Sequence, residues 1–427
     1  LTVLPARTVA KLSRETLVEK SDNTIQADRW TAYQKGVVAL AALAIVFDGF
    51  DNQVLGFATP ALIREWSITK GDMAPVAAIG LIGMTVGTMI AGVLGDRFGR
   101  RTMLIASVLL FGAMTCLIGV TGDLWQLGAL RFLSGLGLGG AMPNATAIAA
   151  EYTPPKKRAL AVTLTIVCIP LGGLVAGLIA RTILPGMGWR VLFFVAGGLP
   201  LIVGMILIAA LPESPSFKAG GAAAQRAKIG DLFGPAILRD TLALWSAFFA
   251  CLLAVYTVFS WAPTMLTEAG FTPATASDGL SAFNFGGIGG AVLAAWFIMA
   301  LGSRRSLLVL SAAAAIMAGV SAWWVVGSTD AARTVIAFGV LGFAINGVQT
   351  TMFAVAANVY PDAIRATGVG AALGFGRIGA VLSSFLGAAV LGAGGGAAYF
   401  ILIAAAMAVT FVALALLGRH IPRSAEL

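Results

Sequence analysis

Four ionised side chains stand inside stretches of sequence otherwise too apolar to hold them: Asp48, Asp51, Arg131 and Arg377. A charge in hydrocarbon costs roughly 2.5–3.5 kcal/mol on insertion scales, so those that persist face a cavity or a partner. Asp48 and Asp51 are three residues apart and share one face of a helix. Two carboxylates so close resist ionising together, and a low-dielectric surround favours the neutral acid. The pair is suited to taking up and releasing a proton. The plainer alternative is a structural pair satisfied by Asn52, Gln53 or an arginine. Arg377 lies near mid-depth of its own apolar run. Its guanidinium stays charged and offers a planar fork to a carboxylate. It can anchor a substrate carboxylate, exchange partners with Asp48 and Asp51, or form a permanent internal ion pair.

The elements that must position these charges are membrane helices. Of 427 residues 59% are hydrophobic and only 11% charged, against roughly 25% charged in soluble domains. The 53 glycines suit helices that pack backbone to backbone in lipid. A membrane helix needs roughly 20 apolar residues. Such runs fall near 36–60, 72–95, 102–121, 124–150, 158–183, 189–211, 240–266, 278–301, 305–326, 332–358, 366–391 and 396–418. The expected organisation is an all-α membrane protein with twelve spans in two six-helix halves. Its parts are a tail (1–35), a first bundle (36–211), a central loop (212–239), a second bundle (240–418) and a short tail (419–427). No signal peptide is read at the N-terminus.

Basic residues fix the expected orientation. The tails, the central loop and the turns holding Arg97, Arg100, Arg101, Lys156, Lys157, Arg158, Arg304, Arg305 and Arg365 fall on one side. The other side holds Arg64, Lys70, Arg181, Arg190 and Arg333. Both termini are therefore expected in the cytoplasm, which requires an even number of spans. The net charge of +9 lies in these turns and forms no basic helix or aromatic–basic pattern, so nucleic-acid binding is excluded. Cys116, Cys168 and Cys251 sit in apolar runs without metal or disulfide spacing, and His420 is the only histidine. No cofactor or metal is expected, and nothing in the sequence pairs a nucleophile with a base.

The chain repeats itself. Glu151-Tyr152-Thr153-Pro154 before Arg158-Ala159 has a counterpart in Val359-Tyr360-Pro361 before Arg365-Ala366, and Arg100-Arg101 has one in Arg304-Arg305. Parallel repeats of this kind are one transporter architecture. Small-residue stripes at Gly83/Gly87, Gly135/Gly139, Gly173/Gly177, Gly286/Gly290 and Gly370/Gly374 read as helix contacts. Asn144, Tyr256, Ser260, Trp261, Asn284, Phe285, Asn346 and Gln349 all fall within spans and are candidates to line a substrate cavity. Aromatic rings in such helices more often pack or face lipid.

Gly92-Val93-Leu94-Gly95-Asp96-Arg97-Phe98-Gly99-Arg100-Arg101 resembles the signature loop between the second and third helices of the major facilitator superfamily. Arg131-Phe132-Leu133-Ser134-Gly135 is similar to the fourth-helix motif, and Pro212-Glu213-Ser214-Pro215 to the end of the sixth helix. Asp48-Gly49-Phe50-Asp51 resembles the DGxD motif of the aromatic acid:proton symporters. Trp261-Ala262-Pro263-Thr264, Arg365-Ala366-Thr367-Gly368 and Gly376-Arg377-Ile378-Gly379 resemble later segments of that family. The second signature loop, Leu301-Gly302-Ser303-Arg304-Arg305, lacks the acidic residue common there. The resemblance implies a part for Arg131 in proton coupling. It also implies a cytoplasmic gate built from Asp96, Arg97, Arg100, Arg101, Glu151, Arg158 and Arg365; Asp96 can also favour the positive N-terminus of a nearby helix.

The expected function is uptake of an aromatic carboxylate, such as a benzoate or hydroxybenzoate, with protons by a monomer in the bacterial inner membrane. An anion entering a negative cell works against about 2.3 kcal/mol per charge per 100 mV, and one proton cancels that charge. A symporter of another organic acid or a drug/proton antiporter is the alternative. Ile169-Pro170-Leu171-Gly172-Gly173 is faintly similar to an antiporter motif but lacks the glycine before the proline.

Overall fold

Lipid offers no hydrogen bonds to a backbone, so a chain this apolar must satisfy its own amides, and helices do so within each segment. A computed structural model describes residues 30–154, 157–214, 229–235, 237–361 and 364–423. Among them lie nine α-helices: α1 (Ala32–Trp66), α2 (Lys70–Phe98), α3 (Arg100–Ile118), α4 (Leu124–Glu151), α5 (Arg158–Ala210), α6 (Leu238–Glu268), α7 (Pro273–Trp324), α8 (Ala331–Val359) and α9 (Arg365–Leu416). A short 3-10 helix, Ile229–Phe233, precedes α6. Eight helical stretches are long and apolar enough to cross a membrane. Most of the N-terminal tail, most of the central loop, Lys156 and the last four residues lie outside the described residues.

Helix starts carry polar caps. Thr31 and Gln34 exchange backbone and side-chain hydrogen bonds at α1, and Thr69 and Asp72 do so at α2. Asp123, Thr272 and Asp330 accept from first-turn amides of α4, α7 and α8. Each cap satisfies donors that a helix leaves orphaned at its start.

Corners are made by glycine. Gly188, Gly302 and Gly395 have positive φ and non-helical backbone inside α5, α7 and α9, and Gly99 does the same between α2 and α3. A side chain would be strained at such angles. The gaps expected between apolar runs near 184–188, 302–304 and 392–395 therefore shrink to one residue each. The first helix is longer than its apolar run suggested. It continues past Pro60 to Trp66 and takes in Arg64 and Glu65.

Small residues bring backbones together at three of the five stripes, and Gly173/Gly177 makes room for side chains of Gln53, Asn284 and Ser281. A side chain at Gly83 or Gly87 would meet the α4 backbone at Phe132 and Leu136, and one at Gly135 or Gly139 would meet α2 at Gly80 and Met84. Gly286 and Gly290 abut Gly339 and Phe343 of α8, and Gly177 abuts Ser281 of α7. The stripe at Gly370/Gly374 does not pack: nothing lies within 4 Å of a Cβ at either position.

Contacts between the first set of helices (α1–α5) and the second (α6–α9) are pronounced at the end holding Lys70 and Glu268. Lys70 pairs with Glu268 at 2.5 Å and Arg181 with Asp278 at 3.4 Å. Deeper in, Asn52 Nδ2 donates to Tyr256 Oη at 3.3 Å, and Gly56 lies against the Phe259 carbonyl. Gln53 and Asn284, both fully buried, exchange two hydrogen bonds of 3.0 and 2.7 Å. At the opposite end, several ties run within a set. Arg100 pairs with Glu151, Arg101 donates to the Leu211 and Ile208 carbonyls, and Tyr152 Oη donates to the Glu213 carbonyl. In the second set, Ser303 N–H donates to the Ile421 carbonyl and Ile421 N–H returns a bond to Ser303 Oγ.

Candidate functional site

The middle of α1 is held by two close approaches. Gly49 lies against the α5 backbone at Ile169, and Gly172 of α5 lies against α1 at Val46 and Phe50. This explains the glycine between the two acids: α5 leaves no room there for a Cβ. With that face pressed on α5, Asp48 and Asp51 stand on the rest of the helix, near its mid-length.

The two carboxylates have different surroundings. Asp51 is 0% exposed and belongs wholly to the first set. It accepts a hydrogen bond from Thr115 Oγ1 of α3, and Arg131 Nη1 of α4 lies 3.4 Å from its second oxygen. Asp48 is 7% exposed, and its Oδ1 is buried without a hydrogen-bond partner among the described residues. The charges acting on it are those of Arg377, on α9 of the second set, and of Asp51. Arg377 in turn reaches across the two sets to Met84 Sδ of α2. One acid is matched inside its own half of the chain. The other has no such match and feels the charge of a cation on the opposite half.

Above Asp51, towards Lys70 and Glu268, lies a cavity of about 20 Å³, room for a single water. Asn52, Thr59, Arg131, Tyr256, Ser260 and Trp261 contribute to its walls. Arg131 Nε and Trp261 Nε1 are buried and unpartnered among the described residues. Thus Arg131 of α4 comes together here with Tyr256, Ser260 and Trp261 of α6.

Other candidates lie elsewhere. Asn284 is engaged by Gln53. Asn144 Nδ2 and Asn346 Nδ2 donate to carbonyls one turn back, at Gly140 and Gly342, and both asparagines are buried. Asn144 packs on Gly95 and Asn346 on Gly287. Gln349 is half-buried. Phe285 is 69% exposed, unlike the buried candidates. Of the gate candidates, Arg100 and Glu151 pair, Arg101 binds the end of α5 and Glu213, and Arg97 stacks over Phe98. Arg365 opens α9 at the same end. The side chains of Asp96 and Arg158 lie outside the described residues.

Sequence reasoning missed Thr115, Met84 and the pairing of Gln53 with Asn284. Gln53 carried a signal, being a polar residue in an apolar run beside Asp51. Thr115 and Met84 carried none, since hydroxyls and thioethers are ordinary in membrane helices.

A multi-pass helical membrane protein with charges gathered at its centre belongs in class with the membrane transporters. The chain belongs to the Major Facilitator Superfamily, whose model matches residues 41–333. It is 35% identical over 403 residues to a 4-hydroxybenzoate transporter of Pseudomonas aeruginosa, covering 87% of this chain and 89% of that one. It is 32% identical over 393 residues to a gallate transporter of Pseudomonas putida, covering 85% and 87%. Its fold matches the crystal structure of a D-xylose–proton symporter with a TM-score of 0.71 at 17% identity, covering 92% and 99% of the two chains.

Removing one partner of a buried ion pair leaves the other uncompensated, at about 3–5 kcal/mol. Asp51→Ala, which strands Arg131, is therefore expected to lower stability by about that amount. Asp48→Asn removes a charge that has no hydrogen-bonding donor on Oδ1 and is expected to be neutral or stabilising. Thermal melting of both variants in detergent checks the order.

Proposed function

We propose that this protein is a proton-coupled symporter that takes up an aromatic carboxylate, such as a benzoate or a hydroxybenzoate, across the bacterial inner membrane. The observation that carries the reading is the buried Asp48 Oδ1, which has no hydrogen-bond partner among the described residues while the charge of Arg377, on the other set of helices, acts on it. A proton on Asp48 and a carboxylate at Arg377 would each remove a charge from the same place. The relatives that transport 4-hydroxybenzoate and gallate support the aromatic acid as cargo.

The proposed architecture counts the two arms of α5, α7 and α9 separately, which gives twelve spans in two six-helix halves. Parallel positions of the glycine corners in each half support it: Gly99 with Gly302, and Gly188 with Gly395. The Lys/Arg bias supports cytoplasmic termini. The end closed by Lys70–Glu268 and Arg181–Asp278 then faces outward.

Transport proceeds by rocking of the halves. With the outer side open, a proton loads Asp48 and the substrate carboxylate docks at Arg377. Tyr256, Ser260 and Trp261 contribute ring faces and hydroxyls to the outer wall. Asp51 stays bound to Arg131 and Thr115 as the fixed charge that discourages ionisation of Asp48 until the site opens inward. Arg100–Glu151 and the neighbouring turns form the inner gate. The protein works as a monomer with the proton as its only coupling ion.

Asp48→Asn in proteoliposomes is expected to abolish accumulation of labelled 4-hydroxybenzoate driven by a pH gradient while preserving exchange of labelled for unlabelled substrate. Undiminished accumulation would remove Asp48 from the coupling step.

The rocking itself is open to a second test. A Cβ built on Gly177 falls 3.2 Å from Ser281 Cβ, close to the roughly 3.5–4.5 Å of a disulfide. Gly177→Cys with Ser281→Cys, in a background without Cys116, Cys168 and Cys251, is expected to cross-link, to stop transport and to recover it on reduction. Full transport by the cross-linked protein would show that this contact does not open during the cycle.

A further inference from the structure

A second site lies on the outside of the bundle, remote from Asp48 and independent of the identity of the cargo. The first two turns of α6 and the last turns of α9 leave a groove between them of about 560 Å³. Its walls are stripes at helical spacing: Leu242, Ala243 and Ser246 on α6, and Ala408, Val412 and Leu416 on α9. The groove opens at the end of the bundle that carries the C-terminal tail.

At its mouth stands Arg239, with a side chain 72% exposed and its Nη2 3.8 Å from Asp240 Oδ1. Asp240 is already engaged. It accepts the Gly418 N–H at 2.7 Å, and Arg419 Nε lies 3.7 Å from its other oxygen. Arg419 also donates to the Val359 carbonyl. Arg304 adds a further positive charge by acting on the adjacent His420. Two guanidiniums therefore share one buried carboxylate, with the charge of Arg304 nearby, and Arg239 keeps most of its donors for something else.

An aliphatic trough at membrane depth with a surplus cation at its rim fits one kind of occupant. We propose that the groove between α6 and α9 binds an anionic phospholipid, with an acyl chain between Leu242 and Val412 and the headgroup phosphate on Arg239. Basic pockets between helices at the cytoplasmic surface hold anionic headgroups in this way. The α6 end of the groove is also where the central loop is anchored, through Thr241 Oγ1 donating to the Leu232 carbonyl. A bound lipid would thus brace the join between the two halves of the chain.

Native mass spectrometry of the full-length protein, titrated in detergent with phosphatidylglycerol or phosphatidylcholine, reads the preference directly. The expected result is one saturable phosphatidylglycerol adduct, roughly five-fold tighter than phosphatidylcholine, the factor that a single basic residue contributes at an anionic surface. Arg239→Ala should bring the two lipids level, and Ala408→Phe, at an exposed groove position, should remove the adduct. Inorganic phosphate in excess should not displace it. Equal binding of the two lipids by the unaltered protein would overturn the proposal. So would retained preference in Arg239→Ala, retained adduct in Ala408→Phe, or displacement by phosphate alone. Should either variant fold poorly, photo-crosslinkable phosphatidylglycerol on the unaltered protein decides. Adducts within 239–246 and 408–416 support the groove, and adducts confined to other segments refute it.

Discussion

A carboxylate sealed in a bundle of apolar helices must be matched by a cation and by donors, and the match of Asp51 with Arg131 and Thr115 is what the centre of this protein depends on. It draws α1, α3 and α4 onto one point. Removal of either charge would leave the other buried without compensation. With Asp51 so held, a fixed ion pair lies one turn from Asp48, whose own Oδ1 has no donor. The contrast between a satisfied acid and an unsatisfied one, three residues apart, is what the proposed division into structural and exchangeable charge rests on.

The interface that must open and close is built from weaker ties. Lys70–Glu268 is partly exposed, and such pairs contribute about 0–1 kcal/mol. The two Gln53–Asn284 hydrogen bonds contribute about 0.5–1.5 kcal/mol each. Glycines let the two sets approach closely without interlocking side chains, at Gly56 on the Phe259 backbone and at Gly177 on the Ser281 side chain. Within the first set, by contrast, the α2–α4 seam interdigitates four glycines with the opposing backbones. Rigid halves joined by modest contacts are the mechanical requirement for rocking, and occupancy of a central site can tip so small a balance.

Much of this was legible beforehand because lipid makes charge conspicuous. Asp48, Asp51, Arg131 and Arg377 stood out as ions in apolar runs, and the signature loop marked the fold. What hydropathy does not encode is which way a helix faces when it is apolar all round. Hydropathy therefore did not show that Phe285 is exposed or that nothing packs on the Gly370/Gly374 stripe. Spacing likewise placed Asp48 and Asp51 on one face but was silent about Thr115, whose hydroxyl distinguishes them. Corner glycines hid in plain sight among 53, since only backbone angles reveal which ones turn the chain.

The division of labour between the two acids is the central claim, and infrared difference spectroscopy on substrate addition tests it most directly. The spectrum of the unaltered protein in lipid should show a carboxylic-acid C=O band that changes when 4-hydroxybenzoate is added. The band should vanish in Asp48→Asn and persist in Asp51→Asn. A band that survives in Asp48→Asn and disappears in Asp51→Asn would contradict the account, placing the exchangeable proton on the acid that the structure binds to Arg131.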